Sequence, residues 1–219
     1  MTRRWADEQP PAERQSIAEW VAGQAAERAG PARQQAVDGI RQLGQVDRAM
    51  YQAIASTPTP ALDEPLRRLS RAADKSRLWL ATAGVLAVAG GPRGRRAAVR
   101  GVLAIGVTSA VVNLAIKPLS YRARPDRAGA GVPGDRQVAM PGSTSFPSGH
   151  SASAFAFATA LSRERPWVAL GTGFLAAAVA YSRVHTGVHY PGDTVIGSLI
   201  GASAGLAVAD LLDRRSPAP

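Results

Sequence analysis

Cysteine is absent from this sequence, which excludes disulfides, thiolate zinc sites and cysteine nucleophiles together. Lysine is almost absent: two stand beside twenty-four arginines. Also missing is an apolar stretch of signal-peptide type, because the first thirty residues carry charges throughout, and the sequence therefore predicts that the N-terminus stays on the chain. What is present is 46% hydrophobic residues in a length of 219, too apolar for a disordered chain and enough for one ordinary domain with an extension.

The net charge of +10 raises the question of nucleic acid, and its distribution answers it. Up to Arg77 twelve basic residues face ten acidic ones, whereas from Leu78 onward fourteen face six, clustered between apolar segments. That arrangement suits loops beside a membrane and sites facing phosphate, not a groove for nucleic acid, so no nucleic-acid partner is expected.

Two regions differ in kind. Residues 1–60 read as a polar amphipathic helical extension, with Ile17, Trp20 and Val21, then Leu43, Val46, Met50 and Ile54 recurring at spacings of three and four. Gly30-Pro31 and Thr57-Pro58-Thr59-Pro60 break it. Residues 61–213 alternate apolar stretches with charged or Gly/Pro-rich loops: 78–91, 97–116, 151–161, 167–181 and 194–212. Rich in Gly, Ala, Ser and Thr, these stretches predict an all-α, membrane-embedded bundle of about five apolar helices, the small residues permitting close approach. Residues 214–219 read as a disordered tail. With the site candidates set aside, basic residues are even between the two sides of such a bundle, so charge assigns no orientation and the face of the active site is left open.

Three short segments at the ends of the apolar stretches hold groups that suit a phosphate. Lys117-Pro118-Leu119-Ser120-Tyr121-Arg122-Ala123-Arg124-Pro125 offers a point charge and a planar guanidinium fork. Phe146-Pro147-Ser148-Gly149-His150 precedes a helical stretch, so free N–H groups and the Ser148 hydroxyl would point at an anion, Gly149 allows close approach, and His150 could give a proton to a leaving oxygen. In Tyr181-Ser182-Arg183-Val184-His185-Thr186-Gly187-Val188-His189-Tyr190-Pro191-Gly192-Asp193, Arg183 adds a cation and Asp193 can orient His189, which could attack phosphorus. A zinc site of His185, His189 and Asp193 is the rival reading, but the spacing of four needs a continuous helix, and Gly187 with Pro191-Gly192 interrupts it. No metal and no cofactor are therefore expected.

Together the segments resemble the type 2 phosphatidic acid phosphatase family, whose motifs K-x6-R-P, P-S-G-H and S-R-x5-H-x3-D match in order from Lys117 to Asp193. The resemblance implies that Lys117, Arg124 and Arg183, with Ser148 and the Gly149 amide, bind phosphate. It also implies that His189 is the nucleophile forming a phosphohistidine, that Asp193 orients it, and that His150 is the general acid. The implied activity is metal-independent hydrolysis of a phosphomonoester or pyrophosphate of a membrane lipid, glycerolipid or polyprenyl-linked, in a bacterial cell membrane. Heavy Arg and Ala usage resembles a high-GC actinobacterial genome and favours the polyprenyl carrier. A vanadium haloperoxidase-like oxidoreductase with the same pocket and a catalytically silent membrane scaffold are the alternatives. His185 lies outside the motifs.

Overall fold

A computed structural model describes residues 30–215, and the expectations for residues 1–29 and 216–219 lie outside those described. Contacts divide the chain into two compact units, Met1–Gln45 and Val46–Pro219. Helix α1, Pro31–Ser56, runs across that boundary. It starts at the Gly30-Pro31 break and stops before the Thr57-Pro60 break, where proline favours extended backbone in the residue preceding it.

Among the described residues, the rest of the helices lie in the second unit. They are α2 (Pro60–Ala72), a 3₁₀ turn (Asp74–Ser76), α3 (Arg77–Ala89), α4 (Gly91–Ala110), α5 (Gly149–Ala160), α6 (Pro166–His185) and α7 (Pro191–Arg215). No strand occurs among the described residues. Ser148 caps α5, accepting from the Ser151 N–H at 3.4 Å, and α6 and α7 begin with Pro166 and Pro191, whose fixed φ suits a first turn. Helix α7 carries on through Arg214 and Arg215.

Among the described residues, three segments are long and apolar enough to cross a bilayer: Gly91–Leu119, Pro166–His185 and Pro191–Arg214. The protein is thus an all-α membrane bundle in which all five apolar stretches of the sequence form helices, three of them long enough to cross. The other two apolar stretches form α3, with 13 residues, and α5, with 12. At roughly 1.5 Å per residue both fall short of a core about 30 Å thick.

Helix α5 is the centre of the unit, packed on α4, α6 and α7. Its closest approach is to α7, where Gly197, Gly201 and Gly205 repeat every fourth residue and make one glycine face. A Cβ on Gly197 would stand 2.5 Å from the Ser148 carbonyl oxygen, one on Gly201 2.0 Å from that of Ala152, and one on Gly205 2.1 Å from Thr159 Oγ1. Only backbone fits there, as in small-residue packing of membrane helices. The contact brings the first turns of α5 and α7 together, and the Ser148 N–H donates to the Asp193 carbonyl at 3.0 Å. Around α5, Trp79, Ala97, Ile105, Phe157, Leu161 and Val179 form the main apolar core.

The two ends of this unit differ. One holds the start of α4 and the ends of α5 and α7, where buried Arg100 pairs with Glu164 at 3.2 Å and Asp213 at 2.5 Å. The other gathers all three motifs.

Candidate active site

Helix α4 does not simply stop. It widens into a π-helical turn, Val111–Ile116, then tightens into a 3₁₀ turn, Lys117–Leu119; such widening often accompanies functional sites. This irregular end leads to Lys117, whose ammonium donates to Ser143 Oγ at 2.9 Å. Arg124 follows on extended chain and is held at both ends of its fork. Its Nε donates to the Ser143 carbonyl at 2.9 Å and its Nη1 to the Val188 carbonyl at 2.7 Å.

Lys117, Arg124, Gly149, His150 and His189 line one cavity of about 280 Å³. Val112, Asn113, Ser143 and Ser153 complete much of its wall, and Ala73, Lys75 and Ser76 reach it from the linker between α2 and α3. Both lysines of the chain therefore lie on this cavity. Lys75 and Ser76 sit there at φ 52° and 58°, left-handed backbone that disfavours side chains.

The remaining motif residues stand off the cavity wall. Ser148 is fully buried, and its hydroxyl accepts from the Ser151 hydroxyl at 3.0 Å, so it serves the helix cap. Arg183 is buried at the end of α6, donating to Ser70 Oγ at 2.6 Å and lying 3.7 Å from Asp74 Oδ1. Asp193, in the first turn of α7, lies 3.5 Å from His189 Nδ1. Its carboxylate also accepts from Ser145 Oγ at 2.5 Å, Arg122 Nη1 at 2.7 Å and the Tyr190 N–H at 3.0 Å.

These surroundings fix the state of His189. Burial pushes its pKa down to about 4, although Asp193 pulls the other way. The ring is therefore neutral at pH 7; Nδ1 lies 3.5 Å from Asp193 and Nε2 3.3 Å from the Arg124 Nη1 donor, a setting that suits the tautomer protonated at Nδ1. His150 is more open. Its Nε2 donates to Asp74 Oδ1 at 2.8 Å, and burial lowers its pKa while the Asp74 carboxylate opposes the drop. The same hydrogen bond holds the Asp74 carboxyl below its ordinary value.

Sequence reasoning missed Asp74, Asp47, Ser145 and Arg122. The first three are far in sequence from the residues they touch, and Arg122 is indistinguishable from an ordinary basic membrane flank. His185 belongs to a separate buried cluster, 2.9 Å from Thr59 Oγ1 and 3.1 Å from Asp63 Oδ1, which Arg136 closes at 3.0 Å. It does not join His189 in a metal shell: no group of three or more His, Asp or Glu suited to a metal comes together among the described residues.

Residues 97–217 match the profile of the PAP2 superfamily. The chain belongs to that superfamily. It is similar to the decaprenylphosphoryl-5-phosphoribose phosphatase of Mycobacterium tuberculosis, 34% identical over 154 residues, covering 68% of this chain and 80% of that protein. A shorter match, 39% identical over 67 residues and 29% of each protein, links it to the lipid A 4'-phosphatase of Bacteroides thetaiotaomicron. Among solved structures it resembles a transmembrane PAP2-type phosphatidylglycerolphosphate phosphatase of Bacillus subtilis, with TM-score 0.64 and 21% identity, covering 92% of this chain and 97% of the other. Aquifex aeolicus LpxE gives TM-score 0.60 and 24% identity over 75% and 95%. These two likenesses concern the fold. This PAP2 superfamily member is an integral membrane protein and, at the level of its family, a lipid phosphatase.

Proposed function

We propose that this PAP2 superfamily member removes the phosphoryl group of a phosphomonoester on a polyprenyl-linked lipid in a bacterial membrane, through a phosphohistidine on His189 and without a metal. The observation that carries this reading is the convergence of Lys117, Arg124, Gly149, His150 and His189 on one cavity. A transferring phosphoryl group spreads negative charge over its oxygens, and preformed cations with a helix N-terminus stabilise that charge in place of a metal ion.

Catalysis proceeds in two displacements. Lys117, Arg124 and the Gly149 N–H hold the phosphate oxygens, and buried Arg183 adds positive charge at longer range. His189 Nε2 attacks phosphorus, forming the N–P bond as the P–O bond to the lipid breaks. His150, its Nε2–H committed to Asp74, gives its Nδ1 proton to the departing oxygen. Water then attacks the phosphohistidine, its proton returns to His150, and the N–P bond breaks to release inorganic phosphate. Asp193 keeps the Nδ1 proton on His189 throughout and stabilises the positive charge on the ring of the intermediate.

The M. tuberculosis relative supports the polyprenyl-linked substrate, because its name describes a phosphorylated sugar on a decaprenyl phosphate and the match spans 80% of that protein. The cavity volume of about 280 Å³ suits a phosphate with part of a sugar, which leaves the prenyl chain to the bilayer. The test is phosphate release by the detergent-solubilised protein from a panel of polyprenyl-phosphoryl sugar phosphates, polyprenyl pyrophosphate, phosphatidic acid and phosphatidylglycerol phosphate. The expected result is preference for the first, unaffected by EDTA and blocked by vanadate, which mimics the trigonal-bipyramidal transition state. Activity lost to EDTA and restored by a divalent metal contradicts the mechanism, and preference for a glycerolipid contradicts the substrate.

A further inference from the structure

Behind the carboxylate that orients His189 lies a second layer reaching into α1. Arg122 divides its guanidinium between two carboxylates, donating through Nη1 to Asp193 at 2.7 Å and through Nη2 to Asp47. The other oxygen of Asp47 accepts from the Gly192 N–H at 2.7 Å, one residue before Asp193. The Arg122 guanidinium also lies over the Tyr190 ring, 4.3 Å from its centroid, and Tyr51 of α1 packs edge-on against that ring at 5.3 Å. All three charged side chains are sheltered, with relative exposures of 14% for Asp47, 15% for Arg122 and 0% for Asp193. At such burial, alternating charges interact strongly and hold one geometry.

We infer that Asp47 and Arg122 are positioning residues for the nucleophile, fixing the Asp193 carboxylate and setting how much of its negative charge His189 feels. Asp47 lies outside the residues that match the family profile, 97–217, so this places part of α1 in the active-site machinery. The inference rests on the reading of His189 as nucleophile.

The physical consequence is a difference in sign between two substitutions. His189 faces Asp193 from α7, Arg124 from the chain after Leu119 and Arg183 from α6. Arg122 draws on the charge of Asp193 before His189 does, and Asp47 balances Arg122 in turn. In Arg122→Gln, Asp193 acts undamped and holds a proton on His189 more firmly, so the acid limb of kcat moves to higher pH. In Asp47→Asn the shape is kept, but the unbalanced Arg122 charge falls on Asp193 and weakens its support of His189. The acid limb then does not rise.

The experiment compares pH profiles of kcat and KM for full-length wild type, Asp47→Asn, Arg122→Gln and Arg122→Lys, with thermal melting as the fold control. Expected are a roughly tenfold loss of kcat in Asp47→Asn with KM nearly unchanged, and an acid limb about one pH unit higher in Arg122→Gln. Arg122→Lys, which keeps the charge, should leave the limb in place while losing rate, because a lysine cannot reach both carboxylates in parallel. Two outcomes overturn the inference: wild-type kcat in Asp47→Asn, or a loss in Arg122→Gln that is equal at every pH and tracks a fall in melting temperature. Phosphate labelling of His189→Ala separates the two failures, since a label surviving there refutes the nucleophile reading whatever the pH profiles show.

Discussion

Two histidine–carboxylate pairs stand at the same end of the bundle, and their surroundings are opposite. The side chains of His189 and Asp193 are 2% and 0% exposed, whereas those of His150 and Asp74 are 22% and 47% exposed. The buried pair is braced by Ser145, Arg122 and the Tyr190 N–H, while in the open pair His150 donates one hydrogen bond to Asp74, which stands next to linker residues with left-handed backbone and 3.7 Å from Arg183. A dry ring kept neutral suits attack on phosphorus. The less buried His150 ring, whose pKa burial lowers and the Asp74 carboxylate pulls back up, is placed to exchange a proton. In the proposed mechanism the same residue types would thus take different roles through burial and bracing.

The largest effect that could break this comparison is on the buried pair. His189→Ala should lower turnover by about 10⁴–10⁶-fold, the usual cost of losing a nucleophile, with any substrate. Asp193→Asn keeps the shape but loses the charge that supports the ring, and a fall of roughly 10³–10⁴-fold is expected by analogy with other orienting carboxylates. Both are measured as steady-state phosphate release, with melting as a control.

The open pair should show smaller and more conditional losses. His150→Ala should cost about 10²–10⁴-fold with a lipid alkoxide leaving group. With para-nitrophenyl phosphate, whose leaving group scarcely needs a proton, formation of the intermediate should be largely restored. Equal losses with both substrates in a burst experiment would remove His150 from the role of acid.

How much of this is legible in the sequence follows from where its signals lie. The motifs are short and local, so Lys117, Arg124, His150 and His189 stand out from the residue pattern alone, and they line one cavity. Ser148 and Arg183 are equally visible in the sequence; they stand behind the cavity wall, Ser148 in the α5 cap and Arg183 hydrogen-bonded to Ser70. Composition reveals small residues but not that Gly197, Gly201 and Gly205 share one face against α5. Asp47 and Asp74 carry no such signal. Each reaches its partner across 75 or more residues of chain, and nothing local distinguishes them from solvated carboxylates. Apolarity alone does not say which helices span, because α3 and α5 are apolar like the long helices but, at 13 and 12 residues, too short to cross alone.

Asp74→Asn tests the weaker bracing of the open pair. Asp74 favours the protonated ring of His150, and burial disfavours it. Removing the carboxylate therefore lowers the pKa of His150, and the basic limb of kcat should move to lower pH with a loss of about tenfold at neutral pH, near 1.4 kcal/mol in barrier. A limb that moves upward would contradict the assigned sign. Smallest in chemical terms is Gly201→Ala, because its glycine touches no site residue directly. A Cβ there would stand 2.0 Å from the Ala152 carbonyl oxygen, so melting should fall by several degrees, while KM and the pH limbs of the surviving folded protein change little.

Trapping the covalent intermediate decides whether His189 is the nucleophile. Wild type and His150→Ala are mixed with substrate carrying labelled phosphate, quenched within milliseconds to seconds, and the protein-bound label is followed and mapped. A phosphohistidine mechanism predicts a label that is acid-labile and base-stable, located on His189, longer-lived in His150→Ala with an activated substrate, and absent from His189→Ala. A label that persists in His189→Ala, or one that maps to another residue, would contradict it.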